Sequence, residues 1–438
     1  LENGMLMKII DHGQIWTIVA NLLAGLFLAL SGVAETVTTK ESTASEGGWS
    51  LTSIPEGVIR LNPEIRAARW TIEMVKSRSR QAGRLNHPQL KSSYFDNPRT
   101  SEMQTSAGFE QAFPITARLR LEKTVARHKV QEAESEVAVM SRLHVENALT
   151  QAIRYLANRE RLEIAENQIE VAQERTLFLK AQAVKGEISS LDATQSSLEV
   201  DGLKLQMRPM RAISKELANE LRTLLGLLPD EKFQITGSLP PAVMPVATEI
   251  RLMQSPDYLL LQQKAQTAEE NIKLERAKRY ADIRLGILHQ WSMEEDAPLG
   301  IEKERRFGFQ LSVPLPLWNR NEGEINARKI ELKRLQAVMK SVETRILNRA
   351  DSAYGGMIEH LAAYNEITQQ LLPKREHYLK TLEHSFMQGL SNYERLVRAQ
   401  EALLKLKMER SRVLESFHMD RVRYQSETGN LENYNASY

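Results

Sequence analysis

From Phe307 the apolar side chains fall on every second residue: Phe307, Phe309, Leu311 and Val313. Gly308, Gln310 and Ser312 lie between them. A period of two with one apolar face is the pattern of a strand. Pro314 and Pro316 remove two backbone donors and end it. The same handover stands earlier in the chain. Gly108, Phe109 and Pro114 repeat the spacing of Gly308, Phe309 and Pro314, 200 residues apart. That repeat predicts a chain built from two similar halves.

The period then changes. Pro114 to Val184 contains no internal Gly or Pro, and Val145, Leu149, Ala152 and Leu156 step along one helical stripe. Lys185-Gly186-Glu187 breaks this helix, with Gly186 as its C′ residue. A return helix is expected over Ile188–Leu227, capped by Ser189 or Ser190 and kinked at Pro209. The second half repeats the plan. A long helix follows Trp318, kinks at Pro373 and runs to Met387; Gln388-Gly389 breaks it, and Ser391–Glu427 returns. Each half opens with a helix of its own. One starts at Ser53 or at Asn62-Pro63-Glu64 and runs to Arg84; the other runs from Ser255-Pro256-Asp257 to Tyr280. A β-hairpin follows each: 89–113 in the first half, 281–314 in the second with Glu294–Glu304 as its turn. The repeats therefore span 53–248 and 249–427, joined by a linker that holds Pro229, Gly237, Pro240, Pro241 and Pro245. Residues 35–52 read as a flexible lead-in and 428–438 as a polar tail.

Composition narrows the function. The 438 residues carry a net charge of +2, which gives no reason to expect nucleic acid. With no cysteine there is no disulfide framework, thiolate metal site, thiol nucleophile or acylated cysteine anchor. The nine histidines lie scattered, without metal-ligand spacing, and no catalytic or phosphate-binding motif occurs. Neither an enzyme nor a resident cofactor is expected. Residues 1–34 read as an export signal: Lys8, an apolar run from Ile15 to Leu30, then small residues at Gly32 and Ala34. A retained membrane anchor is the other reading of that run.

Lengths carry the rest. Seventy-odd helical residues measure about 105 Å. Strands of about ten residues suit a tilted crossing of the hydrocarbon core. A strand crosses lipid only in a closed barrel. Barrels close at about eight strands or more, so four strands per chain must be pooled between copies, and three copies give twelve. Phe307, Phe309, Leu311 and Val313 then face lipid, with Arg306, Gln310 and Ser312 on the lumen side and Trp291 in an interfacial girdle. The bland alternative is a water-soluble helical protein whose two hairpins pack on each other.

The order and spacing of these features resemble the outer-membrane efflux protein family, whose best-known member is TolC. The carrying residues are Asn62-Pro63-Glu64, Gly308-Phe309 with Val313 to Arg320, Lys185-Gly186-Glu187-Ile188-Ser189 with Leu191-Asp192, and Gln388-Gly389 with Ala399-Gln400. The resemblance implies a mainly α fold with a small β part: a long antiparallel α-helical barrel and a twelve-stranded β-barrel as a homotrimer. It implies a passive outer-membrane channel of a tripartite efflux system, with a periplasmic helical extension, outer-membrane lipid around it, and a periplasmic adaptor and an inner-membrane pump as partners. Within the family the sequence looks closest to the heavy-metal or multidrug branch. A periplasmic coiled-coil adaptor or scaffold is the alternative, although adaptors usually carry one helical hairpin where this chain has two.

The resemblance also implies sites. Lys185, Gly186, Gln388 and Gly389 match the turns at the periplasmic tip, where an adaptor docks; a glycine there also serves a left-handed backbone. Asp192, Tyr393, Glu394 and Arg398 stand nearest the pore gate. A ring of carboxylates there selects cations. Glu394 and Arg398 equally fit an ordinary i, i+4 surface pair.

Overall fold

The computed structural model describes residues 48–97, 102–186, 189–245, 252–296, 300–388, 390–429 and 431. The export signal at 1–34, most of the lead-in and tail, and Gly389 lie outside the described residues.

The first half opens with α1 (Ile54–Leu61) and α2 (Pro63–Gln81). Asn62 divides them. Its side chain accepts from the backbone N–H groups of Glu64 and Ile65 at 2.9 and 3.1 Å, and Pro63 occupies the first helical position. Its amide donates to the Leu224 carbonyl at 2.8 Å, which ties this joint to the far end of the return helix. Strands β1 (Gln89–Asp96) and β2 (Met103–Phe113) follow. The long helix α3 (Arg118–Val184) begins four residues later than the pattern suggests, because residues 114–117 form a bend with no side-chain cap. Its 67 residues measure about 100 Å. Lys185 and Gly186 end it, Gly186 at φ +77°, where a side chain would be strained. The return helix α4 (Ser190–Leu224), capped by Ser189, runs through Pro209 as one element.

The second half repeats the order. Helix α5 (Pro256–Ala277) leads to β3 (Ile283–Asp296) and β4 (Gly300–Ser312). These strands overrun the acidic turn expected at Glu294–Glu304, pairing as far as Asp296 and from Gly300. Glu294 pairs across the ladder with Glu302, and Glu295 with Ile301. Side-chain charge marks the segment as solvated but leaves the backbone free to keep pairing. The second long helix is α6 (Glu322–Glu366), a π turn over Ile367–Leu371, and α7 (Leu372–Met387). Pro373 has no N–H to give to the preceding turn, and the helix widens just before it. Helix α8 (Tyr393–Glu427), capped by Asn392, returns. Among the described residues no helix is long and apolar enough to cross a membrane.

One antiparallel sheet holds the strands in the order β1-β2-β3-β4. The two repeated motifs meet in it at one level: Phe109 and Phe309 both pair with Ile287, and Gly108 and Gly308 both pair with Leu288. In the helices, α3 packs along α4 and α5 in turn, and also against α2 and α8; α6 packs against α5 and α8, and α7 against α8. The main core lies where the segment joining α4 to α5 crosses these columns. Trp49, Ile54, Val58, Leu149, Ile153, Leu221, Leu225, Ile235 and Val422 share it. Trp49 pairs with Ile235, Arg159 donates to the Ile235 carbonyl at 2.9 Å, and His418 bonds the Pro240 carbonyl at 2.9 Å. The end of the lead-in is therefore packed rather than flexible: Trp49 and Leu51 are buried. Their apolar area outweighs the polar composition around them.

Candidate functional site

Strand alternation gives the sheet two unlike faces. On one, Leu90, Phe109, Ile287 and Phe309 form an unbroken row across all four strands, since each is the registered partner of the next. Leu285 pairs with Leu311, and His289 with Phe307, their rings 4.4 Å apart. Phe307, Phe309, Leu311 and Val313 all stand exposed, Phe309 at 94%. An exposed apolar row of this kind marks a surface that contacts a membrane or a partner. The opposite face is polar. Glu110 is buried there between Lys91 and Arg284, the latter at 3.7 Å. Arg306, Gln310 and Ser312 lie on this face in β4. Strands β1 and β4 each have one unpaired edge.

The sequence-selected tip residues lie at the far end of the helices. Lys185, Gly186 and Gln388 are exposed, and the Gln388 side chain bonds His384 at 2.8 Å. Asp192 sits half-buried in the first turn of α4, where a carboxylate favours the helix N-terminus. Glu394 and Arg398 form an exposed ion pair one turn apart on α8. Tyr393 is different. At 4% exposure it is turned into the wall, packed with Leu179, Ala193, Phe386 and Val397. Its hydroxyl donates to Glu199 at 3.0 Å, and Arg175 lies over its ring while bonding Glu199 at 3.1 Å. Burial pushes the phenol above its usual range. Beside it the Thr176 and Ser196 hydroxyls bond at 2.6 Å. The residues singled out from the sequence thus divide: Tyr393 locks α3, α4 and α8 together, whereas Glu394 and Arg398 stand on the surface.

Arg175, Thr176, Ser196 and Glu199 escaped the sequence reading. A signal was present. In an antiparallel hairpin, residues equally far from the turn meet, and Arg175 and Glu199 stand almost equally far from Gly186. Charges of opposite sign at matched distance mark a cross-helix pair. Among the described residues no cluster of side chains fits a metal ion.

Residues 250–425 match the family model described as "Outer membrane efflux protein". The probable outer membrane lipoprotein SilC of Salmonella typhimurium is 21% identical over 367 residues, covering 79% of this chain and 78% of its own. The crystal structure of the outer membrane protein VceC from Vibrio cholerae superposes with a TM-score of 0.69 at 14% identity, covering 86% of this chain and 96% of that one. The open-state MtrE outer membrane channel of Neisseria gonorrhoeae gives 0.68 at 14%, with 91% and 96% covered. The second half of the chain thus matches the outer membrane efflux family model, and the chain shares its fold with solved outer-membrane channels along nearly its whole described length.

Proposed function

We propose that the protein is a passive outer-membrane duct that three copies build together, and that it carries substrates outward from a periplasmic adaptor and an inner-membrane pump. One observation carries this reading: a sheet with one apolar face and two open edges stands at the end of helices about 100 Å long. Open edges cannot face lipid. Joining β4 of one copy to β1 of the next satisfies both edges and closes twelve strands, enough for a water-filled lumen. The apolar row then meets lipid, and Glu110, Arg284, Gln310 and their neighbours line the channel. The helices continue the tube into the periplasm, and the chain catalyses nothing.

In this reading the turns at Lys185-Gly186 and Gln388-Gly389 form the adaptor contact. Asp192, Glu394 and Arg398 line the narrow end, with Tyr393 holding the helices that carry them. Alkaline carbonate extraction tests the membrane assignment. The duct stays with the membrane pellet, whereas a periplasmic adaptor or scaffold without an anchor is released. The gate assignment is tested by Asp192→Ala and Glu394→Ala in single-channel recordings. Lower cation preference or higher conductance supports it; unchanged values of both remove these residues from the gate.

A further inference from the structure

Two basic side chains of β4 stand on the face of the sheet that meets lipid in the duct. Side chains alternate along the strand, so Lys303 and Arg305 share the face of Phe307 and Phe309, whereas Glu304 and Arg306 share the other. Arg306 and Glu304 pair with each other. Lys303 and Arg305 are exposed, and neither makes an ion pair among the described residues. In register, Tyr94, Thr105, Trp291 and Arg305 form one row across the sheet, and Lys303 stands a row beyond, opposite Met293. Tyr94 is exposed and Trp291 half-buried. Asp96, the carboxylate of the Lys303 row, lies three strands away on β1 of the same chain.

The height of this pair decides what it can meet. Phe113 and Ile283 form the apolar row next to the helices, and the row of Trp291 and Arg305 comes eight residues later along β3. At about 3.4 Å per residue and a tilt of about 35–45°, that is roughly 20 Å of height, with Lys303 at roughly 25 Å. The outward apolar band of a membrane barrel is about 25 Å tall. The pair therefore lies at the margin of the band, at the end of the sheet farthest from the helices. With the helices in the periplasm, that margin belongs to the outer leaflet. A cation is tolerated at such a margin and disfavoured at the midplane. Tyr and Trp rings suit the same level, their apolar bodies toward the chains and their polar atoms toward the headgroups. The anion on offer there is headgroup phosphate, because the outer leaflet of an outer membrane is built from phosphorylated, multiply acylated glycolipid.

We propose that Arg305 and Lys303 bind a phosphate of an outer-leaflet glycolipid, with Trp291 beside its sugar and the exposed Phe307 and Phe309 under its acyl chains. Two residues of strand separate the basic pair, so their Cα atoms lie roughly 7 Å apart and both long side chains reach one anion. The guanidinium fork gives bidentate contacts and the ammonium a point charge. At the same two levels β2 and β3 carry Met103, Thr105, Trp291 and Met293, all uncharged, so each copy holds one such site, on its edge strand. The inference rests on the reading that the apolar face of the sheet meets lipid, and adds which lipid is held and by which side chains.

The test titrates the full-length, detergent-purified protein with lipid A and counts bound lipids by native mass spectrometry, which also gives the mass of the complex. Expected is one lipid A per chain. Binding should be about 25-fold weaker when Lys303→Gln is combined with Arg305→Gln, since each basic residue beside an anionic membrane surface contributes about fivefold. Arg306→Gln, on the other face, should bind as wild type does, and lipid A stripped of its phosphates should bind weakly to every variant. Equal binding by wild type and the double variant overturns the site. Phosphatidylglycerol binding as tightly as lipid A overturns the glycolipid assignment, and inorganic phosphate competing at equal concentration overturns a lipid site altogether. Each of these results leaves the duct standing when the mass is that of three chains. A monomer by mass overturns the duct and the site with it.

Discussion

His418 is fully buried in α8, where its ring bonds the Pro240 carbonyl and meets the Phe417 ring edge-on at 5.4 Å. Burial, reinforced by the neighbouring Arg421 charge, lowers its pKa to about 4 from an ordinary 6.5, against the opposing pull of the Pro240 bond. The folded form therefore holds a neutral ring, and the unfolded form binds the extra proton. Stability from this group is fully present above pH 6.5 and is lost as pH falls toward 4. With these two values the loss is about 2 kcal/mol at pH 5 and about 3 kcal/mol at pH 4. The structure says where it will be felt, since the Pro240 bond pins the crossing segment to α8. Hydrogen exchange of amides in 233–245 and 414–425, compared between wild type and His418→Gln at pH 7 and pH 5, isolates the effect. Wild-type protection relative to the variant should fall by about 20-fold between the two pH values, the equivalent of about 2 kcal/mol. Parallel profiles for the two proteins would refute the argument.

Other consequences can be checked as directly. Phe309→Arg puts a charge on the lipid face and should cost about 2–4 kcal/mol if the residue lies near the bilayer midplane, seen as lost heat-stable oligomer in detergent, whereas Gln310→Arg on the opposite face should assemble normally. Asn62→Ala removes the cap of α2 and strands the Leu224 carbonyl, about 2–4 kcal/mol together, read as a lower unfolding midpoint. Tyr393→Phe keeps the ring under Arg175 but deletes the bond to Glu199; faster exchange in the first turns of α4 and α8 is expected, with assembly unchanged.

Much of the fold was legible because its strongest signals are local. The alternation at Phe307–Val313, the Asn62-Pro63 joint and the break at Gly186 follow from strand period, capping and backbone freedom. What stayed hidden depends on partners far away in sequence. The reach of β3 and β4 through Glu294–Glu304 was obscured because charge reads as loop, while the ladder needs only a neighbouring backbone. Trp49 and Leu51 sat in a Ser-, Thr- and Gly-rich stretch whose composition masks two apolar side chains seated in the core. Pro373 told of a disturbance in the helix but not that it would take the form of a π turn upstream. At the tip, sequence singled out Tyr393 and Glu394 as neighbours of one kind, yet one residue of helix rotation puts the first inside the wall and the second outside. Helical phase across a Gly turn is set by packing, and the residues that set it, Arg175 and Glu199, lie on the other hairpin.

The central claim is that copies of this chain pool their strands into a water-filled pore. Planar-bilayer recording of the detergent-purified protein, with its mass determined in the same detergent, tests it most directly. The account predicts a stable complex of three times the mass of the processed chain that inserts and gives discrete, cation-preferring steps. A monomer that inserts nothing would contradict it and leave the open edges of β1 and β4 without an explanation.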